Sequence, residues 1–329
     1  IATLALMSLS APARAQEPLS AIDWLSKSVA SPATPVAMPV PTPSKPDKGT
    51  ITVKPIEGPG LDSLGLQPPE RSGLPLNFWG PALAEDVARR IRQERPDILP
   101  ALRTLLTTIL LAELAPPKGS DGGGQVFLAR VDKFLDMGAL DPALALLELP
   151  DPPTSETFRR RFDVALLKGQ ENDACRVMRD TPQIAPSFPA RIFCLARGGD
   201  WTAAALSLRT GESLGFMNAA ESALMSRFLD PELFEGEPDL PPPDPVTPLE
   251  FRLMEAIGQP LSTATLPVAF AQAALRSNAG LKTRIEAGER LARLGSISAN
   301  LLLGLYTERE EAASGGVWAK SAIKVILQN

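Results

Sequence analysis

The sequence predicts an all-α protein, an α-solenoid of helical hairpins preceded by a disordered Pro-rich N-terminal region. A repeat and a composition shift carry that prediction. Three segments align without a gap: Phe127-Leu128-Ala129-Arg130-Val131, Phe158-Arg159-Arg160-Arg161-Phe162 and Phe188-Pro189-Ala190-Arg191-Ile192. Seven residues after each comes a glycine (Gly138, Gly169, Gly199), and five residues beyond each glycine an alanine (Ala143, Ala174, Ala204). The unit recurs at about 31 residues, the period of two-helix solenoid repeats. The 34 prolines, by contrast, crowd into particular stretches, so part of the 329-residue chain is linker.

Taken in order, residues 1–15 read as the remaining part of a secretory signal. Residues 1–9 form an apolar run, and Ala13-Arg14-Ala15 is a small-x-small cleavage site that predicts a mature chain from Gln16. Residues 16–30 hold a short amphipathic segment in which Ile22, Leu25 and Val29 share a helical face, with Trp24 beside them. It is too short to be stable alone, so it docks on a partner, docks in cis or stays unfolded. Residues 31–75 are rich in Pro, Gly, Ser and Thr and read as a tether. Its one β-prone island is residues 50–53.

The folded region is expected over 76–234. Helices follow at about 82–93, with Glu85 and Asp86 at the positive N-terminal end, and at about 98–114, closed by Pro116 and Pro117. The second is read as a buried core helix. Within the repeats, Phe127, Val131, Phe134 and Leu135 stand at i, i+4, i+7 and i+8, a spacing that Phe158, Phe162, Ala165 and Leu166 reproduce. The glycine supplies the left-handed residue that ends the first helix. Asp141, Asn172 and Thr202, three residues on, are expected to cap the second helix, with Pro142 at its first position and the recurring Ala at a close helix-helix approach. Residues 216–229 are helical in pattern but lack the glycine, as a terminal cap would. Residues 235–248, with prolines at 241–243 and 245, read as a second linker. The remaining 249–329 forms a C-terminal helical block with helices near 249–257, 266–277, 281–294, 297–306 and 317–327, in which Phe251 and Gly258 repeat the spacing of Phe162 and Gly169.

Composition closes several function classes. The chain has no histidine, which removes Ser-His-Asp and Cys-His nucleophile systems, imidazole bases and His-containing zinc sites. A net charge of -5 argues against nucleic acid, because a phosphate-binding surface needs excess Lys and Arg. Residues 98–115, the best candidate for a membrane span, are interrupted by Pro100, Arg103 and Glu113, leaving a run far below the ~20 apolar residues required. No cofactor motif is recognisable; Gly122-Gly123-Gly124 lacks the Lys-Ser/Thr of a phosphate loop and reads as a hinge.

The candidate functional residues are few. Cys175 and Cys194, the only two cysteines, fall on consecutive helices expected to run antiparallel, and an even count in an exported chain suggests a disulfide. The alternative is two buried free thiols. Arg130, Arg161 and Arg191 recur at one repeat position and are expected to form a ladder. Such a ladder either presents guanidinium groups to the carboxylates of a partner's acidic tail or peptide, or simply lies over each Phe with its head in water or paired to Asp132 or Asp163. Residues 306–318, which carry Tyr306 and Trp318 beside a Ser-Gly-Gly, read either as an exposed recognition loop or as a loop between two core helices, and the second reading is preferred.

The Gly-x4-Ala step between paired helices, over about residues 80–230, resembles that of tetratricopeptide-type hairpins, although the Trp, Tyr and terminal Pro of that family's signature are missing. The whole chain also resembles a group of exported alphaproteobacterial proteins sometimes labelled antifreeze polyproteins. The residues behind that resemblance are Ile22-Asp23-Trp24-Leu25, the stretch 190–201 that ends Arg197-Gly198-Gly199-Asp200-Trp201, and residues 228–238. The bulky apolar stripes fit a packed interior rather than the flat Ala/Thr face that ice binding needs. The resulting expectation is a non-catalytic periplasmic or secreted scaffold that holds a protein or peptide, with Trp24 and Leu25 as a tethered second contact. The alternative is a peptidoglycan-associated accessory or enzyme resembling the superhelical part of lytic transglycosylases.

Overall fold

Helix α4 (Gln125–Asp136) is buried on every side from Val126 to Leu135, and the other elements are arranged around it. The structure, a computed structural model, describes residues 60–276 and 278–314, and its described residues form fourteen α-helices with no strand beyond isolated bridges. The predicted signal, the amphipathic segment with Trp24 and Leu25, most of the first linker and the helix expected at 317–327 lie outside the described residues.

Ahead of α4 come α1 (Pro69–Ser72), α2 (Ala84–Gln93) and α3 (Pro100–Leu111). The five helices that follow α4 are α5 (Leu140–Leu147), α6 (Ser155–Lys168), α7 (Glu171–Asp180), α8 (Phe188–Arg197) and α9 (Trp201–Leu214), each packed on the one before it. The chain continues through α10 (Ala219–Leu229), α11 (Pro248–Ala256), α12 (Ala271–Ala274), α13 (Leu281–Arg293) and α14 (Ala299–Ser314).

The repeat is written into the backbone. Gly138, Gly169 and Gly199 all adopt left-handed φ, at 69°, 73° and 86°. In each, the following residue donates its N–H to the carbonyl five residues back: Ala139 to Phe134 at 2.8 Å, Gln170 to Ala165 at 2.8 Å, Asp200 to Leu195 at 3.0 Å. This closing bond of a Schellman turn satisfies a carbonyl the helix would leave open. The next helix then begins two residues after the glycine, earlier than the cap pattern suggested. Its N-caps are Ala139, Gln170 and Asp200, so Asp141, Asn172 and Thr202 sit inside the first turn, and only Asp200 caps through its side chain, accepting from Ala203 N at 3.0 Å. The recurring alanines are buried.

Two expected boundaries move. Part of the segment assigned to the linker is folded: Leu61–Ser63 packs on α4, and Leu66 N and Gln67 N donate to Leu111 O at 2.8 and 3.0 Å. Asp62 is buried and its Oδ1 accepts from Val126 N and Phe127 N at 2.8 and 2.9 Å. It thereby caps a helix whose own N-cap, Gly124, has no side chain to offer. The block after residue 248 is not an independent unit either. The Phe251 and Phe270 rings meet at 5.4 Å within the cluster that holds Phe127 and Phe134, and α11 and α12 pack on α6. Gln272 donates to Gly138 O at 2.6 Å, and Leu291 and Val268 close over Gly138, where a Cβ would meet Leu291 at 2.8 Å. Contacts of this kind, across more than a hundred residues, go beyond a plain neighbour-to-neighbour stack. Helix α3 also departs from expectation: of its residues only Leu110 is buried, while Leu102 and Leu105 are exposed.

Buried charges tie these layers together. The guanidinium of Arg130 donates to Leu110 O, Leu64 O and Ala112 O at 2.7, 2.7 and 2.9 Å. Burial pushes it down to about 10, with Asp62 pulling the other way, so it stays cationic at neutral pH. Lys133 donates to Arg92 O and Glu94 O at 2.8 and 2.7 Å, at the C-terminal end of α2. Asp132 takes both Nε and Nη2 of Arg160, at 2.6 and 3.2 Å. Asp163 Oδ2, like Asp62 Oδ2 and Glu171 Oε2, is buried with no hydrogen-bond donor among the described residues, and at Asp163 burial, opposed by Arg159 and Arg160, pushes the carboxyl up to about 7.

Removing Arg130 strands three buried carbonyls. Arg130→Ala is therefore expected to lower the unfolding free energy by about 3–5 kcal/mol or to prevent folding, whereas Arg161→Ala, at the equivalent repeat position and only half-buried, changes it by less than about 1 kcal/mol. Urea titration compares the two, and equal losses would contradict the assignment. For Asp163 the native state keeps a proton that the unfolded chain releases between about pH 4 and 7, so its ionisation lowers stability across that window and above it. Asp163→Asn is expected to be near neutral at pH 4 and to stabilise by about 2–4 kcal/mol at pH 8, read by thermal melts at the two pH values.

Candidate functional site

Helices α7 and α8 form a hairpin closed by a 3-10 turn at Pro182–Ile184. Helix α7 is strongly amphipathic: Ala174, Cys175 and Met178 face inward, leaving Arg176 and Arg179 on the outer side three residues apart. In α8, Ile192, Phe193 and Ala196 are buried, and Arg191 and Arg197 are exposed. The sulfurs of Cys175 and Cys194 stand 1.96 Å apart, at disulfide-bonding distance, and fix the register of the two helices.

That register brings the four arginines to one cavity of about 610 Å³. Its inner wall is Cys175, Met178, Cys194 and Leu195, and Asp200 is the one acid that lines it. Two of the guanidiniums are already engaged. Arg176 pairs with Asp173 at 2.7 Å, and Arg197 donates to Asn172 Oδ1 at 3.1 Å and pairs with buried Glu171 at 3.2 Å. Arg191 is oriented by one bond to Pro182 O at 3.0 Å and has no carboxylate partner among the described residues; neither does Arg179. A cavity with an apolar floor and two uncommitted guanidiniums on its rim has the chemistry to hold a carboxylate on an apolar or extended body.

The expected arginine ladder is not formed. Its three members have three different environments, because the surroundings of each repeat differ even where its backbone does not. Arg130 is 1 % exposed and its donors are taken by backbone carbonyls, so it is unavailable to a partner and is neither solvent-facing nor paired with Asp132. Arg161 is half-buried on α6, and Arg191 alone reaches the cavity. Arg176, Arg179 and Arg197 were missed from the sequence. Their signal was their spacing from the cysteines, one and four residues after Cys175 and three after Cys194, which a cross-link turns into a single patch.

Tyr306, expected in a loop, lies within α14 and donates to Glu289 Oε1 at 2.5 Å. Among the described residues no helix is long and apolar enough to cross a membrane. Comparison of the chain with protein-family models, curated proteins and solved structures finds no match.

Peptide mapping without reductant is expected to recover the Cys175 and Cys194 peptides as one linked species. The 19-residue separation corresponds to a loop whose closure contributes roughly 3 kcal/mol, so the Cys175→Ser/Cys194→Ser variant should lose about that much in urea. Two free thiols in protein purified from an oxidising compartment would sink the assignment.

Proposed function

We propose that the protein is a non-catalytic binding module, acting in the periplasm or outside the cell, that captures an acidic peptide segment of another protein in the arginine cavity between α7 and α8. The observation that carries this reading is charge segregation. In a chain of net charge -5, four arginines and one aspartate line a single 610 Å³ cavity. A local field opposite to the net charge attracts and orients carboxylates without drawing in polyanions at large. The apolar floor gives the bound segment somewhere to bury a side chain between its acids. An exported location fits the cysteine pair, which persists in oxidising compartments, and the small-x-small site at residues 13–15. The tetratricopeptide-type resemblance points the same way, towards a scaffold that holds peptides.

A fluorescein-labelled hexaglutamate peptide measured by anisotropy tests the reading. Binding should weaken as salt rises from 50 to 500 mM (chosen as about a threefold change in Debye length). Arg179→Gln/Arg191→Gln, which removes the two uncommitted guanidiniums at exposed positions, should weaken it at least about tenfold, at about 1 kcal/mol or more per charge-assisted contact. Hexaglutamine binding as tightly as hexaglutamate, or a double variant that binds like the parent, would remove the basis for the proposal. Sedimentation with purified peptidoglycan in place of the peptide, unaffected by the same double variant, would favour a cell-wall role through another surface.

A further inference from the structure

A second cavity, of about 310 Å³, lies between α6, the first turns of α8 and α10, and α11 with the residues leading into it. Three helices begin at its wall, and Ser187, Asn218 and Thr247 are their N-caps. These helix ends make their own bonds. Ser187 Oγ accepts from Ala190 N, Asn218 Oδ1 from Glu221 N and Thr247 Oγ1 from Glu250 N, at 3.2, 2.9 and 3.2 Å. Glu221 and Glu250 each return a carboxylate oxygen to the cap backbone, at 2.8 and 2.9 Å. The helix ends are therefore closed within themselves and leave no demand for an anion.

The unmet group is Asp163 of α6. It lines the cavity, is only 9 % exposed, and its Oδ2 is shut from solvent with no donor among the described residues. A buried carboxylate oxygen without a donor is costly. The charge lining the cavity is predominantly negative: four carboxylates, of Asp163, Glu221, Asp244 and Glu250, stand against one guanidinium, that of Arg159. The remaining wall is apolar, with Leu224, Met225 and Leu249 among its side chains.

We propose that this cavity binds a ligand presenting an alkylammonium group, with the nitrogen paired to the Asp163 carboxylate and the alkyl stem lying along Leu224, Met225 and Leu249. A neutral hydroxyl would supply the missing donor but leave the excess negative charge in place; an ammonium supplies both. The volume is at the small end of the ~300–1,000 Å³ of ligand pockets, which fits a short amine or one lysine side chain.

Proton and ammonium compete for Asp163. Burial pushes the carboxyl up to about 7. The charged groups around it are Arg159 and Arg160 on α6, Glu221 of α10, Glu250 of α11 and Asp244 ahead of α11, with Arg160 itself held by Asp132 and Glu156. An alkylammonium, like a lysine, titrates near ~10.4 and keeps its charge from pH 6 to 8. The ionised fraction of Asp163 rises about tenfold over that range, and the affinity should rise with it by up to about tenfold.

Isothermal titration calorimetry of the full chain with n-hexylamine, and with 1-hexanol as the neutral control, tests the proposal. Hexylamine should bind, hexanol should not, and binding should be about tenfold tighter at pH 8 than at pH 6. Asp163→Asn, which removes the charge from a position where it weakens the fold, should abolish both the binding and its pH dependence. Ala220→Trp, at an exposed position of the cavity wall, should block binding with the melting temperature unchanged. Binding of Nα-acetyl-lysine amide as tight as that of hexylamine identifies a peptide side chain as the source, and binding of hexylamine alone identifies a free amine. No heat with hexylamine, equal binding of hexanol, or hexylamine binding unchanged in Asp163→Asn would each overturn it.

Discussion

Helix α4 is buried around its whole circumference, and that imposes a constraint on everything near it. An all-round buried helix normally has an apolar sequence, yet Arg130, Asp132 and Lys133 stand in its middle and are 1–2 % exposed. Each is tolerated because it serves as the terminus or tie of another element. Arg130 closes the carbonyls at the end of α3, Lys133 closes those at the end of α2, and Asp132 holds Arg160 of α6. Asp62 in turn supplies the N-cap that Gly124 lacks. The end of α2, the end of α3 and the start of α4 are thus satisfied by side chains 18 to 65 residues away, whereas α6, α10 and α11 carry local capping boxes. Such contacts form only when the layers are already assembled. They make α2 and α3 dependent on α4.

What was legible in the sequence follows the range of the interactions that decide it. The glycine at the end of each first helix is a local matter of positive φ and one backbone bond, so Gly138, Gly169 and Gly199 could be assigned from spacing alone. The buried alanines followed from the same register. The second-helix caps were misplaced by two residues because the turn is tighter than a cap-then-helix pattern assumes. The start of the folded region was misplaced by about fifteen residues because Leu61, Leu64 and Leu66 are set among Pro, Gly and Ser, and only the distant partner Val126 explains Asp62. The return of α11 and α12 onto α6 was invisible for the same reason. It rests on pairs such as Gln272 with Gly138 and Arg252 with Glu171, which no period encodes.

The candidate site shows the same division. A cysteine pair on consecutive antiparallel helices was readable, but a recurring Arg in the sequence was not a recurring Arg on a surface. One ladder position points into an environment built by a non-repeating segment, Arg130 donating to Leu64 O in the folded end of the presumed linker, while Arg161 stays half-buried on α6 away from the cavity. The cavity is instead assembled from arginines with no common repeat position, and the geometry that unites them is the cross-link. The Asp163 cavity was less legible still, because it is walled by three helix starts far apart in the chain and its acid looked, in sequence, like a partner for the ladder.

The two cavities have opposite charge and are nevertheless built from the same hairpins. The first turn of α8 lines the acidic one and the remainder of α8 the arginine one, while α6 and α7 contribute Asp163 to one and Arg176 and Arg179 to the other. Between them Glu171 is buried, and its Oε1 takes both Arg197, at 3.2 Å, and Arg252 of α11, at 3.1 Å. Arg197 lines the basic cavity; α11 supplies Leu249, Glu250 and Leu253 to the acidic one. One carboxylate therefore fixes a wall of each. Because the ordering of these walls is completed on folding, neither cavity has to be organised by a ligand, and binding loses correspondingly little entropy. Of the two ties the one to Arg252 is the stronger, because its guanidinium is 16 % exposed whereas that of Arg197 is 40 % exposed and correspondingly screened, so Glu171 anchors the α11 wall more firmly than the α8 wall.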